Sequence, residues 1–519
     1  MTFFDYDILK DIWLLDSAGN TFYINEKLVT PARLENSKVV AVLPDVRNRT
    51  LGAAAFCNAH HIRHPYIGGE MANGIASEAM VKSLAQAGLL GFFGAAGLAP
   101  GNVEKAIINF KEALGAEKSW GVNLIHAPGD QSLERALVAL FLKHGVRRVS
   151  ASAFMSVTAA VVQYAASGLE EGPDGAVMRK NFVFAKVSRP EIARIFLSPA
   201  PQEILDALVA EGALTSDEAR LARRVPIAEN ITVEADSGGH TDNRPLSVIL
   251  PLVLGLREEL RTEFAYSNPV YVGAAGGLGT PEAIAASFAM GADYVLTGSV
   301  NQSAIEAGIS TGVKSLLAKA KATDMVMAPS ADMFEIGAKV QVLKSGTMFA
   351  IRAQKLFDLY QRHTAFSDIP EDQRKRVEKE IFNASLTEIW DKTRQFWEKR
   401  NAKEVERALK NPRYQMALTF RWYLGLASHW AIQGETSRAL DYQIWCGPAM
   451  GAFNEWVKGS FLEDVSQRNV AQIGRNLMLG AMLTERLNQL RLYGVHIPPD
   501  QSRFRPVPLD ENLRPTPPQ

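Results

Sequence analysis

Residues 231–240, ITVEADSGGH, are an apolar, β-branched run that breaks into Ser-Gly-Gly-His. A run of this kind reads as a buried strand, and its ending as a small-residue loop carrying one imidazole. The pattern returns at 270–279, VYVGAAGGLG, and at 293–300, DYVLTGSV. In the last two cases the loop is rich enough in glycine for backbone N–H groups to wrap a phosphate, because a residue without Cβ lets an anion approach the chain.

From about residue 60 to 310 the same alternation of short apolar runs and amphipathic stretches continues. It predicts strands near 65–71, 89–94, 119–126, 148–153, 182–187, 231–235, 269–274 and 294–298. Ser77 is placed to cap a helix ending at Gly88, and Asp130 one running to Gly145. Thr280-Pro281-Glu282 is a cap, a proline at the first helical position and an acid in the first turn; Gly291 closes that helix. Eight strand–helix repeats predict an α/β fold of the closed (β/α)8 TIM barrel type. A doubly wound sheet fits less well, since no GxGxxG follows the first strand, only Gly91-Phe-Phe-Gly94-Ala-Ala-Gly97. Residues 198–226 read as a helical hairpin inserted between strands.

The expected organisation is an N-terminal cap segment at 1–60, the barrel at 61–325, a large mainly α-helical second domain at 326–496 and a Pro-rich, extended or mobile tail at 497–519. Strand alternation is absent beyond 330, where Trp390, Trp397, Trp422, Trp430, Trp445 and Trp456 gather, and the last long helix is expected over 462–493. The second domain is expected to pack over one end of the barrel. Lys+Arg and Asp+Glu are both 56, a balance that argues against a nucleic-acid partner. Cys57 and Cys446 stand alone, so neither a disulfide framework nor a zinc site is expected. The N-terminus holds acids inside its apolar stretch, and no uncharged run reaches membrane-spanning length. A soluble, cytoplasmic protein with no membrane association, and possibly a homodimer, is expected.

In a parallel barrel the reacting groups gather at the C-terminal strand ends, and the loops after strands seven and eight commonly take phosphate. Here those loops are Ala275-Gly276-Gly277-Leu278-Gly279 and Thr297-Gly298-Ser299. His240 follows Gly238 and Gly239 and precedes the polar Thr241-Asp242-Asn243-Arg244; an imidazole there can bond a carbonyl or move a proton near neutral pH. The first strand ends Gly68-Gly69-Glu70-Met71-Ala72-Asn73, small enough at its mouth for a flat ring. Asn123 ends the third strand and offers an amide to a ring edge. Lys186 ends the fifth, a cation that needs an anionic partner inside a barrel. A flavin edge and a carboxylate are both candidates, and a Glu70–Lys186 ion pair is one form of the second.

The stretches GEMANGIASEAMVKSLAQAGLLGFFGAAGL, ITVEADSGGHTDNRP, VGAAGGLGTPEAIAASFAMGADYVLTGSVNQ, MAPSADMFEIGAKVQVLKSGTMFAIRAQKLFDLY and CGPAMGAFNEWVKGSFLEDVSQRNVAQIGRN resemble the PfaD-type enoyl reductases. Those are the trans-acting reductases of polyunsaturated fatty acid and trans-acyltransferase polyketide synthases, within the nitronate monooxygenase-like superfamily. The resemblance implies FMN, with NADPH or NADH as reductant, and an enoyl chain on an acyl carrier protein within a synthase multienzyme. It implies that Gly276, Gly277, Thr297, Gly298 and Ser299 hold the FMN phosphate, that Met71, Ala72, Asn73, Asn123, Gly238 and Gly239 line the ring with Lys186 at its polar edge, and that His240 is catalytic. It departs at Glu70, where a small residue is expected. Two other readings share these residues, a nitronate monooxygenase-like flavin oxidase and a flavin-free scaffold within a synthase. Arg374-Lys375-Arg376 and Lys399-Arg400 are either a docking surface for an acidic carrier or solvated helix faces.

Overall fold

The computed structural model describes residues 6–17, 19–25, 37–46, 51–127, 130–498 and 502–516. They fall into two compact units, one of residues 1–236, 242–307 and 455–519, the other of residues 237–241 and 308–454.

The first unit is built on eight strands: β1 (Tyr66–Gly68), β2 (Leu90–Phe93), β3 (Gly121–Ile125), β4 (Arg148–Ser152), β5 (Phe182–Val187), β6 (Asn230–Glu234), β7 (Tyr271–Ala275) and β8 (Tyr294–Thr297). Each pairs in parallel with the next, and β8 pairs with β1 through Thr297 and Gly68, so the barrel closes. These are the eight strands expected, in the (β/α)8 arrangement expected. The capping signals act as read: Ser77 accepts from Met80 N at 3.2 Å, Asp130 from Leu133 N at 3.1 Å and Thr280 from Ala283 N at 3.4 Å. The 198–226 insertion is a hairpin of helices Gln202–Ala210 and Ser216–Ala222.

One end of the barrel is plugged. Helix Ala54–His60 brings Phe56 into the core, stacked on Tyr294 with ring centroids 4.4 Å apart, and fully buried His60 bonds Asn230 Oδ1 at 3.0 Å. Arg148 donates to His60 O at 3.1 Å. Asn230 and Arg148 open β6 and β4, so this plug closes the N-terminal strand ends. Burying an aromatic ring of this size contributes about 1.5–3 kcal/mol. The opposite, C-terminal end is left for the site.

The cap segment contains an antiparallel sheet, Ile12–Ser17 between Asn20–Asn25 and Lys38–Leu43, followed by the plug helix; residues 1–5, 18, 26–36 and 47–50 of it lie outside the described residues. The long C-terminal helix runs Val470–Leu492 and belongs to the barrel unit, so the expected domain limits at 325/326 and 496/497 do not coincide with the division observed. The cause is a face of small residues. A Cβ on Gly474 would lie 2.8 Å from Tyr66 and one on Gly480 2.5 Å from Pro281, so the helix backbone lies directly on the barrel. The tail is extended but anchored: Val507 N donates to Asn476 Oδ1 at 2.9 Å and Leu509 N to Gln472 Oε1 at 3.0 Å. Its residues 499–501 and 517–519 lie outside the described residues.

The second unit is mainly helical, with Phe349–Arg362, Leu386–Arg400 and Pro412–Gln433 around a core that includes Phe334, Phe420 and Tyr423, and with Ala402–Lys410 packed through Ala408 in a smaller cluster with Trp390 and Tyr414. It also holds an antiparallel pair, β9 (Met325–Pro329) and β10 (Lys339–Leu343), the second of which lies where no strand alternation was expected. β10 has only 5 residues, and Lys339 and Lys344 bracket its Val-Gln-Val alternation. Lys375 and Arg376 pair with Glu371 and Glu380 one turn away, and Arg400 lies over the Phe396 and Trp397 rings. Among the described residues no helix is long and apolar enough to cross a membrane.

Candidate active site

Side chains two apart on a strand share a face. On β5, Phe184 joins the aromatic core, so Lys186 faces inward one step nearer the C-terminal mouth. On β6, Asn230 reaches the plug and Thr232, the register partner of Lys186, bonds the Tyr294 hydroxyl at 2.8 Å, so Glu234 lies one inward step nearer the mouth, within reach of the long lysine side chain. Lys186 Nζ lies 3.2 Å from Glu234 and 3.3 Å from Glu70, the latter only 2% exposed. Burial acts against the ammonium, but the attraction of Glu234 and Glu70 outweighs it and holds its pKa above the usual lysine range. Ser152, at the end of β4, donates to Glu70 Oε1 at 3.1 Å.

The structure therefore makes the Glu70–Lys186 pair that the sequence left open, and adds Glu234 and Ser152, which sequence reading passed over. Glu234 had a signal: an acid inside a buried apolar run must find a partner. Asn123 stands beside this cluster, but its amide nitrogen is already committed, to Ser150 O at 3.0 Å and Ser152 Oγ at 2.8 Å.

The two glycine loops follow neighbouring strands, β7 and β8. Gly276 and Gly277 both have left-handed φ, +83° and +73°. A Cβ on Gly276 would lie 2.7 Å from the Ala235 carbonyl carbon, so this residue lets β7 turn against the end of β6. Gly277 and Gly298, by contrast, have nothing within 4 Å of where a Cβ would be, which is the open backbone an anion needs. Helix Pro281–Ala289 starts directly after the first loop and helix Ser299–Gln302 after the second. Thr297 is turned away from both: its hydroxyl meets Tyr66 OH at 2.5 Å and accepts from Asn301 at 3.1 Å.

The loop after β1 is fixed by the loop after β2. Asn73, at φ +56°, donates its N–H to Ala96 O at 2.7 Å, and Gly74 N donates to Gly94 O at 2.9 Å. A Cβ on Gly94 would sit 1.8 Å from Met71 O, so the wrongly spaced glycines of the second strand serve to seat Met71, Ala72 and Asn73.

After β6 the chain leaves the first unit for residues 237–241 and returns. The return is braced by Asp236 N donating to Arg244 O at 3.1 Å and by Arg189 gripping Asp242 at 2.9 Å through two nitrogens. The hydrogen bonds from Arg189 lower the Asp242 carboxyl to about 2. Gly239–His240 is no free loop tip: it pairs as a short edge strand with β10, Gly239 opposite Gln341 and His240 opposite Val340. Gly238 permits that pairing, since a Cβ there would lie 2.8 Å from the Cys446 backbone. His240 Nε2 lies 3.2 Å from Asp332 Oδ1, and the two side chains are 51% and 61% exposed. Desolvation raises the Asp332 carboxyl, but the hydrogen bond and charge of His240 reverse this and bring it to about 2. Asp332 had no local signal, because it lies 92 residues away.

A closed parallel barrel with open glycine turns after its last two strands and a buried charge cluster at the same strand ends defines a (β/α)8 protein with a C-terminal-face site. The model of the nitronate monooxygenase family matches residues 54–344, and the chain belongs to that family. Residues 363–442 match the inserted helical domain of [acyl-carrier-protein] S-malonyltransferase, a likeness sequence reading missed. One of the polyunsaturated fatty acid synthase subunits of Thraustochytrium is 47% identical over 85% of this chain and 30% of its own length. PksE, a polyketide biosynthesis protein of Bacillus subtilis, is 42% identical over 88% of this chain and 60% of its own. The chain thus spans under two thirds of these relatives. The crystal structure of the enoyl reductase domain of MlnA, from the macrolactin cluster of Bacillus amyloliquefaciens, is 39% identical, with TM-score 0.81 over 85% of this chain and 99% of that one. A FabK structure from Thermotoga maritima, at 18% identity and TM-score 0.51 over 85% of this chain and 99% of that one, shares the fold. The resemblance to the enoyl reductases of polyunsaturated fatty acid and polyketide synthesis is borne out.

Proposed function

We propose that this chain is a trans-acting, FMN-dependent enoyl reductase that saturates the 2,3 double bond of enoyl chains on an acyl carrier protein, in polyunsaturated fatty acid or polyketide synthesis. The observation that carries this reading is the match along 99% of the MlnA enoyl reductase domain. The residues present suit FMN. Gly277 and Gly298 leave their backbone open to an anion, and Glu70 Oε2 is a buried acceptor with no hydrogen-bond partner among the described residues. Left unmet, such an atom costs about 1–3 kcal/mol, and a ring N–H is a donor that meets it.

On this reading Gly276, Gly277, Gly298 and Ser299 hold the phosphate, Met71 and Ala72 flank the ring, and Lys186 faces its polar edge. Bound FMN supplies the hydride relay between NADPH, or NADH, and the β-carbon of the thioester. The chain's own task is to place the enoyl group, exclude water and answer the charge that grows on the thioester oxygen. His240 donates to that oxygen or delivers the proton that the α-carbon must take, and Asp332 orients its ring.

The family model also admits a nitronate oxidase. Two carboxyl groups against one ammonium at the barrel mouth disfavour an anionic nitronate and suit a neutral thioester. The test is NADPH consumption by the FMN-loaded protein under nitrogen with a crotonyl–pantetheine thioester. Consumption that follows the thioester is expected. No turnover under nitrogen, with oxygen uptake driven by a nitronate and no NADPH, would replace this reading by the oxidase.

A further inference from the structure

We propose that Glu70 sets the reducing power of the flavin held in this barrel, through the carboxylate oxygen that no donor among the described residues meets; the inference rests on the flavin reading above. Backbone geometry fixes where this residue stands. Gly69 N donates to Thr297 O at 2.7 Å, which pins the chain directly after β1 to the end of β8. Glu70 then enters the mouth from β1 and meets Lys186 from β5 and Ser152 from β4.

Both of those contacts fall on Oε1. Oε2 is fully enclosed and has no hydrogen-bond partner among the described residues. Lys186 already has a carboxylate of its own in Glu234, at 3.2 Å. A second acid is therefore more than the ammonium needs, and burying a spare carboxylate oxygen is unfavourable in a purely structural role.

A flavin changes that balance. The pyrimidine edge of its ring carries an imide N–H, the donor Oε2 lacks. A carboxylate fixed beside the ring also opposes the electron density that reduction adds to it, while Lys186 favours that density. Glu70 thus tilts the pair of opposing charges toward a lower midpoint potential and a stronger hydride donor. On this reading Glu70 meets the cofactor itself through Oε2 and does not act only by holding Lys186 through Oε1.

The test compares wild type, Glu70→Gln and Glu70→Asp as full-length, FMN-loaded proteins. It measures the midpoint potential by equilibration with reference dyes and FMN affinity by fluorescence quenching. Glu70→Gln keeps the shape and removes the charge; its potential is expected to rise and its FMN affinity to fall several-fold. Glu70→Asp keeps the charge; its potential is expected to stay near wild type while affinity falls, and it answers the case in which the glutamine variant does not fold. A Glu70→Gln potential equal to that of wild type, or a Glu70→Asp potential as high as that of Glu70→Gln, overturns the proposal and leaves the flavin reading standing. A wild-type protein that takes up no flavin overturns both.

Discussion

The barrel mouth and the His240 strand each set a base against an acid at nearly the same distance. Lys186 stands 3.3 Å from Glu70 and 3.2 Å from Glu234, and His240 stands 3.2 Å from Asp332. The surroundings differ. The side chains at the mouth are 2–20% exposed, whereas His240 and Asp332 are more than half exposed. Distance alone therefore says little about what an ion pair does. Where water is excluded, breaking the pair strands a charge, so the cluster is rigid and its field is fixed. Where water is present, the pair is worth little and can open, which suits a group that must give up or accept a proton.

The largest effect is expected from Lys186→Met. It leaves Glu70 and Glu234 facing each other without a cation, and the expected loss is about 3–5 kcal/mol of folding stability by urea denaturation. A loss no greater than that of an exposed pair would mean that the mouth is wet. Next comes His240→Ala, expected to retain fold and bound flavin while enoyl reduction falls roughly 10²–10⁴-fold. Near wild-type turnover would remove His240 from the chemistry.

The pH dependence of melting separates the two pairs further. The Lys186 pKa is raised in the fold, so its contribution is present below the usual lysine value and is lost as pH rises through the folded value. Asp332 is depressed to about 2, so its contribution is present above the usual carboxylate range and is lost as pH falls through about 2. An alkaline limb missing from Lys186→Met and an acid limb reduced in Asp332→Asn are the expected signatures in melting curves. The smallest effect is the stability of Asp332→Asn at neutral pH, expected to change by about 0–1 kcal/mol. A larger change would show that the exposed pair is a structural tie.

The barrel was legible because its strands are continuous apolar runs punctuated by glycine, and because Ser77, Asp130 and Thr280 mark helix starts that need only local hydrogen bonds. The glycine loops could be read for the same local reason. What escaped reading lies between distant segments. The pairing of Gly239–His240 with β10 joins residues about a hundred positions apart, and Asp332 comes with it. Helix Val470–Leu492 looked like part of the helical domain, because its sequence does not say which surface its glycines touch. The protein partners of the Asn123 amide nitrogen, Ser150 and Ser152, and of the Thr297 hydroxyl, Tyr66 and Asn301, could not be read either.

Whether the turns after β7 and β8 bind a flavin by its phosphate is decided by titrating the flavin-free protein with FMN and with riboflavin, which lacks the phosphate. FMN is expected to bind tighter by roughly 10-fold or more, the worth of charge-assisted hydrogen bonds to the phosphate. Equal affinity for the two, or no binding of either, would contradict binding by the phosphate.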